Sequence, residues 1–151
     1  MKTEQDAQGV PAPRQRWMRI LARAGGRLLA YSDELRGPEH RFIRPAEAGM
    51  VMVRGRMGGS GAPFNLGEMT VTRCVVQLAD GGTGHSYVAG RSKPHAELAA
   101  LADALLQSPQ APRWLALVDE LEQEQAADRA ARAAQSAATK VNFTTMVRGE
   151  D

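Results

Sequence analysis

Arginine and glycine, at a spacing that could hold an anion, mark the middle of the chain. Arg56 leads into Met57-Gly58-Gly59-Ser60-Gly61, and Arg73 follows in the next apolar run, after Leu66-Gly67-Glu68-Met69. Gly58, Gly59 and Gly61 permit φ > 0 and close approach of another group to the backbone. Two guanidiniums flanking exposed amides could bind phosphate or a similar anion. Arg91 and His95 lie downstream, and with Glu68 they complete the candidate anion-binding or subunit-contact set. On residue types alone, the same stretch also reads as an ordinary flexible connection between two strands.

Other chemistries fit less well. The loop lacks the Lys-Ser or Lys-Thr that a P-loop carries before its helix. Gly58-Gly59-Ser60-Gly61-Ala62 approaches a nucleophile elbow but ends in alanine, and Pro63 blocks the continuation. His95-Ala96-Glu97 matches the first half of the zinc-deaminase signature, but no P-C-x-x-C follows. His40, His85, His95 and Cys74 have no zinc-ligand spacing. His95, in the first turn of a helix, reads as a surface or capping residue. Cys74, on a strand, reads as core. No nucleophile, base and oxyanion donor assemble, so the residues describe a small binding or structural subunit, with a free-standing hydrolase using Ser60 or His95 as its enzymatic rival.

The elements that must position these residues are regular but poorly supplied with bulk. The hydrophobic fraction is 43% of 151 residues, yet 25 of those residues are alanine, and Leu, Ile, Val and Phe together number 28. That is thin for a self-sufficient domain, while a net charge of +2 is too small to explain the shortage as disorder. The remaining reading is a chain that completes its core against a partner. A pI near 9.0 with dispersed arginines and few aromatics gives little support to nucleic-acid binding. A single cysteine fits a reducing cytoplasm, and no apolar run marks a signal peptide or a membrane span.

In chain order, residues 1–12 are polar and expected to be disordered, ahead of a single α+β domain over residues 13–151. Trp17, Ile20, Leu21, Ala24 and Leu28 fall on one helical face, broken at Gly25-Gly26, with a second short helix to Leu35. Arg41–Arg44 predicts a short strand, Pro45–Gly49 a turn, and Met50–Met57 a better strand. A loop over residues 58–67, with Phe64 and Leu66 as anchors, leads to the longest strand, Glu68–Leu78. Asp80-Gly81-Gly82-Thr83-Gly84 turns the chain into His85–Arg91. The expected fold is an antiparallel meander of three or four strands, whose ends could gather Arg56, Arg73 and Arg91. Ser92-Lys93-Pro94-His95 opens a helix, with Ser92 or Lys93 near the cap and Leu98, Leu101, Ala102 and Leu105 buried, ended by Pro109 and Pro112. A long alanine-rich helix runs from about Arg113 to Thr139, with Asp128 and Arg132 spaced for an i,i+4 pair. Its alanine face suits a subunit contact, and the tail from Val141 to Arg148 is strand-like.

Several segments together resemble the G subunit of the bacterial carbon–phosphorus lyase system, the PhnG family. They are Arg14-Gln15-Arg16-Trp17-Met18, Arg56-Met57-Gly58-Gly59-Ser60-Gly61, Leu66 to Arg73, Gly84 to Arg91, His95-Ala96-Glu97, Asp103-Ala104-Leu105 and Thr145 to Gly149. The likeness covers about residues 14–150, with Asn142 and Thr144 departing from the family's tail. It implies a cytoplasmic subunit of a core complex with the H, I and J subunits, two copies of each, working with the L protein. That assembly directs a phosphonate onto C1′ of MgATP with loss of adenine. In the family this nucleosidase chemistry belongs to the I subunit, and a radical enzyme, the J subunit, later breaks the carbon–phosphorus bond. The resemblance therefore implies an accessory, non-catalytic chain with no cofactor of its own, MgATP being the substrate of the complex.

Overall fold

The structure is a computed structural model that describes residues 11–143. Its elements are α1 (Ala12–Ala22), a 3-10 segment (Gly25–Tyr31), α2 (Ser32–Arg36), β1 (His40–Arg56), β2 (Pro63–Leu78), β3 (Thr83–Ala89), α3 (Lys93–Leu106) and α4 (Ala111–Ala138). The three strands form one antiparallel sheet in the order β1-β2-β3. This is the α+β meander expected, with an N-terminal helix and a long final one. α1 ends at Ala22, and Gly25, at φ +57, opens the 3-10 segment, so the helical run is broken close to where the glycine pair predicted.

β1 departs from the expectation of two strands and a turn. It continues through Pro45, pairing with β2 from His40↔Leu78 to Arg56↔Pro63. Register slips between Phe42 and Arg44 and again between Arg44 and Glu47. A proline lacks the ladder donor and is tolerated in an edge strand at such a bulge. The bulge turns Ala46 into the core. The predicted loop over residues 58–67 is likewise shorter: β2 begins at Pro63, so Phe64 and Leu66 are exposed strand residues and not loop anchors.

α3 lies over one face of the sheet and is enclosed on its other sides by α1, the 3-10 segment, α2 and α4. Ser92 caps it by accepting from the His95 amide. Its burial exceeds the single stripe predicted, since every residue from Leu98 to Leu106 is buried. Alanines at 96, 99, 100, 102 and 104 let neighbouring backbones approach, so part of the alanine content is core. Pro112 does not end this helix but stands in the first turn of α4, where its missing N–H costs nothing.

α4 buries Trp114, Leu117, Val118 and Leu121, and from Ala126 onward it is exposed. Asp128 does not pair with Arg132; it turns to Arg27, 3.6 Å away. Val141–Phe143 follow the helix without regular structure, and the rest of the strand-like tail lies outside the described residues, as do residues 1–10. No described helix is long and apolar enough to cross a membrane.

Candidate functional site

β3 ends at Ala89, opposite Val71, while β1 and β2 continue together to Arg56 and Pro63. Residues 50–69 therefore leave the body as a two-stranded arm about 20 Å long. Its side chains alternate as the pleat requires. Val51, Val53, Phe64 and Met69 share one face, joined by Leu66 at the slip between Val53 and Arg54. A Cβ built on Gly55 would meet Leu66 Cδ1 at 2.8 Å and Phe64 Cζ at 3.4 Å, so this glycine leaves room for the apolar pair. Met50, Met52 and Leu66 are more than half exposed. Leu66 belongs to the Val51 face and Met50 and Met52 to the opposite one, so both faces of the arm expose large apolar side chains, which monomeric proteins rarely gather uncovered.

The glycine turn is the tip of this arm. Gly58 and Gly59 take φ +60 and +81, and the Gly61 amide donates to the Met57 carbonyl at 2.8 Å, closing the turn on itself. Gly61 is also fixed by space, since a Cβ there would stand 2.7 Å from that carbonyl. Arg56 reaches the Gly61 carbonyl at 3.5 Å. Glu68 is exposed on the arm, opposite Met52.

The expectation that Arg56, Arg73 and Arg91 converge is not met. Arg73 lies opposite Glu47 and Arg56 opposite Pro63, which at about 3.3 Å per residue separates them by roughly 30 Å. Arg73 is a mid-strand residue, 3.7 Å from the Glu47 carboxylate, and its Nε is buried without an acceptor. Arg91 follows Gly90, whose amide donates to the Thr70 carbonyl, so it emerges where the arm leaves the body. A bulged seventeen-residue β1 moved these positions apart.

His95 corrects another expectation. It is buried, not at the surface, and its Nε2 is 2.8 Å from the Leu21 carbonyl of α1, to which it donates in the tautomer protonated there. The rest of that tripeptide is equally occupied. The Ala96 carbonyl accepts from Ser86 Oγ at 2.6 Å, and Glu97 pairs with Arg36 at 2.7 Å. Cys74 is core as expected. Burial pushes its thiol up to about 11, the Glu97 carboxylate adds to the rise, and Arg36 opposes it. Ser60 is exposed at the arm tip. Among the described residues no three His, Cys, Asp or Glu side chains gather as a metal site.

Residue-by-residue chemistry overlooked Asp103. Its carboxylate is fully buried and accepts from Arg14 Nε and Nη2, from Trp17 Nε1 at 2.8 Å and from the His85 amide at 2.9 Å. An aspartate inside an alanine–leucine helix was the available signal, because a charge is buried only when it is paired. Three segments distant in sequence thus meet at one carboxylate. Residues 12–149 match the family described as "Phosphonate metabolism protein PhnG".

The chain belongs to the PhnG family. It is similar to the alpha-D-ribose 1-methylphosphonate 5-triphosphate synthase subunit PhnG of Rhizobium meliloti (strain 1021), 49% identical over 157 residues that cover 99% of this chain and 97% of the relative. Several segments that carried the resemblance therefore have structural work in the PhnG fold. Arg14, Trp17, His85 and Asp103 join α1, β3 and α3, while His95 ties α3 to α1. The arm, by contrast, carries Arg56 to Gly61 and Leu66 to Glu68 into solvent.

Proposed function

We propose that this chain is an accessory, non-catalytic subunit of an assembly making alpha-D-ribose 1-methylphosphonate 5-triphosphate. In this reading a phosphonate oxygen attacks C1′ of MgATP, forming the C1′–O bond as the C1′–N bond breaks and adenine leaves, and the reacting groups belong to other subunits. The partners are the H, I and J subunits of a cytoplasmic core complex containing a second copy of this chain, with the L protein acting alongside. The chain brings no cofactor of its own. One observation carries the reading: an arm with apolar side chains on both faces and open backbone edges, extending past everything among the described residues that could cover it. Such an arm gains by burial at about 25 cal/mol per Å² only when a partner receives it.

The test is co-expression with the H, I and J subunits, followed by size-exclusion chromatography. The wild-type chain elutes with its partners. Met52→Asp with Leu66→Asp, both at exposed positions, leaves the body folded and removes the chain from the complex. Retention of the double variant in a complex of normal size would refute the arm as the contact.

A further inference from the structure

We infer that the cleft between the C-terminal end of α1 and the outer half of α4 binds an oligophosphate anion, in particular a triphosphate. α1 and α4 lie side by side in a fixed register. Arg16 of α1 bonds Asp119 and Glu122 of α4, and one step further Gln125 Nε2 donates to the Ile20 carbonyl at 2.9 Å. Beyond these rungs two clefts adjoin, one lined by Arg19, Arg23, Gln125 and Arg129, the other by Arg23, Gln125, Arg129 and Arg132. The second has a volume of about 430 Å³.

The charge there is only partly compensated: Glu122, whose pKa is lowered chiefly by its bond to Arg16, is lowered further by Arg19. Glu122 and Asp128 also line the clefts, but Glu122 is engaged by Arg16 and Asp128 is turned to Arg27. Among the described residues no carboxylate lies within salt-bridge distance of Arg19, Arg23, Arg129 or Arg132, whereas Arg14, Arg16, Arg27, Arg36 and Arg113 each have one. Arg19 and Arg23 are spaced i,i+4, and Arg129 and Arg132 i,i+3, so each pair shares a helix face. Planar guanidiniums bind phosphate oxygens in a bidentate fork. Two such pairs across a cleft match a chain of phosphates carrying several charges better than a single carboxylate. The glycine turn has no comparable grouping, with Arg56 and Arg73 far apart on the sheet.

The inference rests on the proposed function only for which triphosphate arrives, since substrate and product in that reading both carry one. Inorganic tripolyphosphate and ATP are titrated separately into the full chain by calorimetry at physiological ionic strength. Both bind saturably with similar affinity, as a phosphate-directed site requires. Arg129→Ala with Arg132→Ala weakens binding roughly tenfold or more, a loss typical of charge-assisted bonds. Arg129→Lys with Arg132→Lys, which keeps the charge and guards against a folding defect, gives an intermediate loss. Arg54→Ala with Arg56→Ala, on the arm, changes nothing. Absence of saturable binding, or equal losses from the arm and cleft variants, overturns the inference. Saturable binding by a wild-type chain that fails to co-elute with the H, I and J subunits would refute the accessory-subunit reading and leave the cleft standing.

Discussion

Arg14 and Asp103, eighty-nine residues apart, form a bidentate pair in which Nε and Nη2 of the guanidinium donate to the two carboxylate oxygens at 3.2 and 2.8 Å. The Asp103 side chain is fully buried and that of Arg14 is 20% exposed. The aspartate raises the Arg14 pKa further, by hydrogen bonding. The pair fixes α1 against α3, while the same carboxylate holds Trp17 and the start of β3. Removing the two partners should therefore have unequal consequences. Asp103→Ala strands the half-buried Trp17 indole N–H, the His85 amide and the partly exposed Arg14 and is expected to cost about 1–3 kcal/mol. Arg14→Ala leaves the fully buried Asp103 charge with two donors and no cation and should cost about 3–5 kcal/mol. Urea unfolding of both variants checks the order.

Gly84 and Gly67 make a second contrast. A Cβ at Gly84 would lie 1.9 Å from the Ala100 carbonyl and 2.7 Å from the Ala104 amide, both α3 backbone, whereas one at Gly67 meets nothing within 4 Å. Gly84→Ala must push α3 off the sheet and should cost at least about 3 kcal/mol. Gly67→Ala should stay within about 0.5 kcal/mol of wild type. Thermal unfolding of the pair separates steric need from residue type.

Cys74 should be silent to thiol reagents in the native protein near pH 8 and react fully in denaturant. Its thiol is fully buried and its pKa is raised by that burial from 9.0 to about 11. The folded state thus holds a proton that the unfolded state has lost. Stability from this source is intact below pH 9 and declines as pH rises toward 11, by on the order of 2 kcal/mol. Cys74→Ala should flatten that slope in denaturation measured across the window.

The arm should be dispensable to the body. Replacing residues 52–68 by a tight Asn-Gly turn keeps the pairs Gly49↔Val71, Met50↔Thr70 and Val51↔Met69, the first of which lies beside β3. Unfolding temperature should move by only a few degrees, because the excised side chains are exposed or half-exposed. Loss of cooperative unfolding would show that the arm stabilises its own chain.

Sequence reading recovered what short-range chemistry dictates. The Ser92 cap, the Gly25 break and the Asp80-Gly81-Gly82 turn each depend on neighbouring residues and stand where expected. Register depends on distant partners and was not legible. Pro45 resembled a stop because its tolerance comes from an edge strand with a bulge, a property of β2 pairing and not of the local sequence. His95 looked exposed in its first turn because nothing nearby reveals that α1 covers it. The proposed anion cleft was hidden for a related reason. Its arginines lie more than a hundred residues apart, and only the diversion of Asp128 to Arg27 leaves Arg132 free.

The projecting arm also bears on how the chain can be produced. A two-stranded arm with unpaired backbone edges and exposed methionines is a template for pairing with any similar edge. In the proposed assembly, each copy made in excess of the partner that receives the arm presents that template to every other copy, and such surplus is expected to aggregate. Accumulation of the protein is then governed by the scarcest partner and not by its own rate of translation. Balanced synthesis of the subunits becomes a requirement imposed by twenty residues of hairpin.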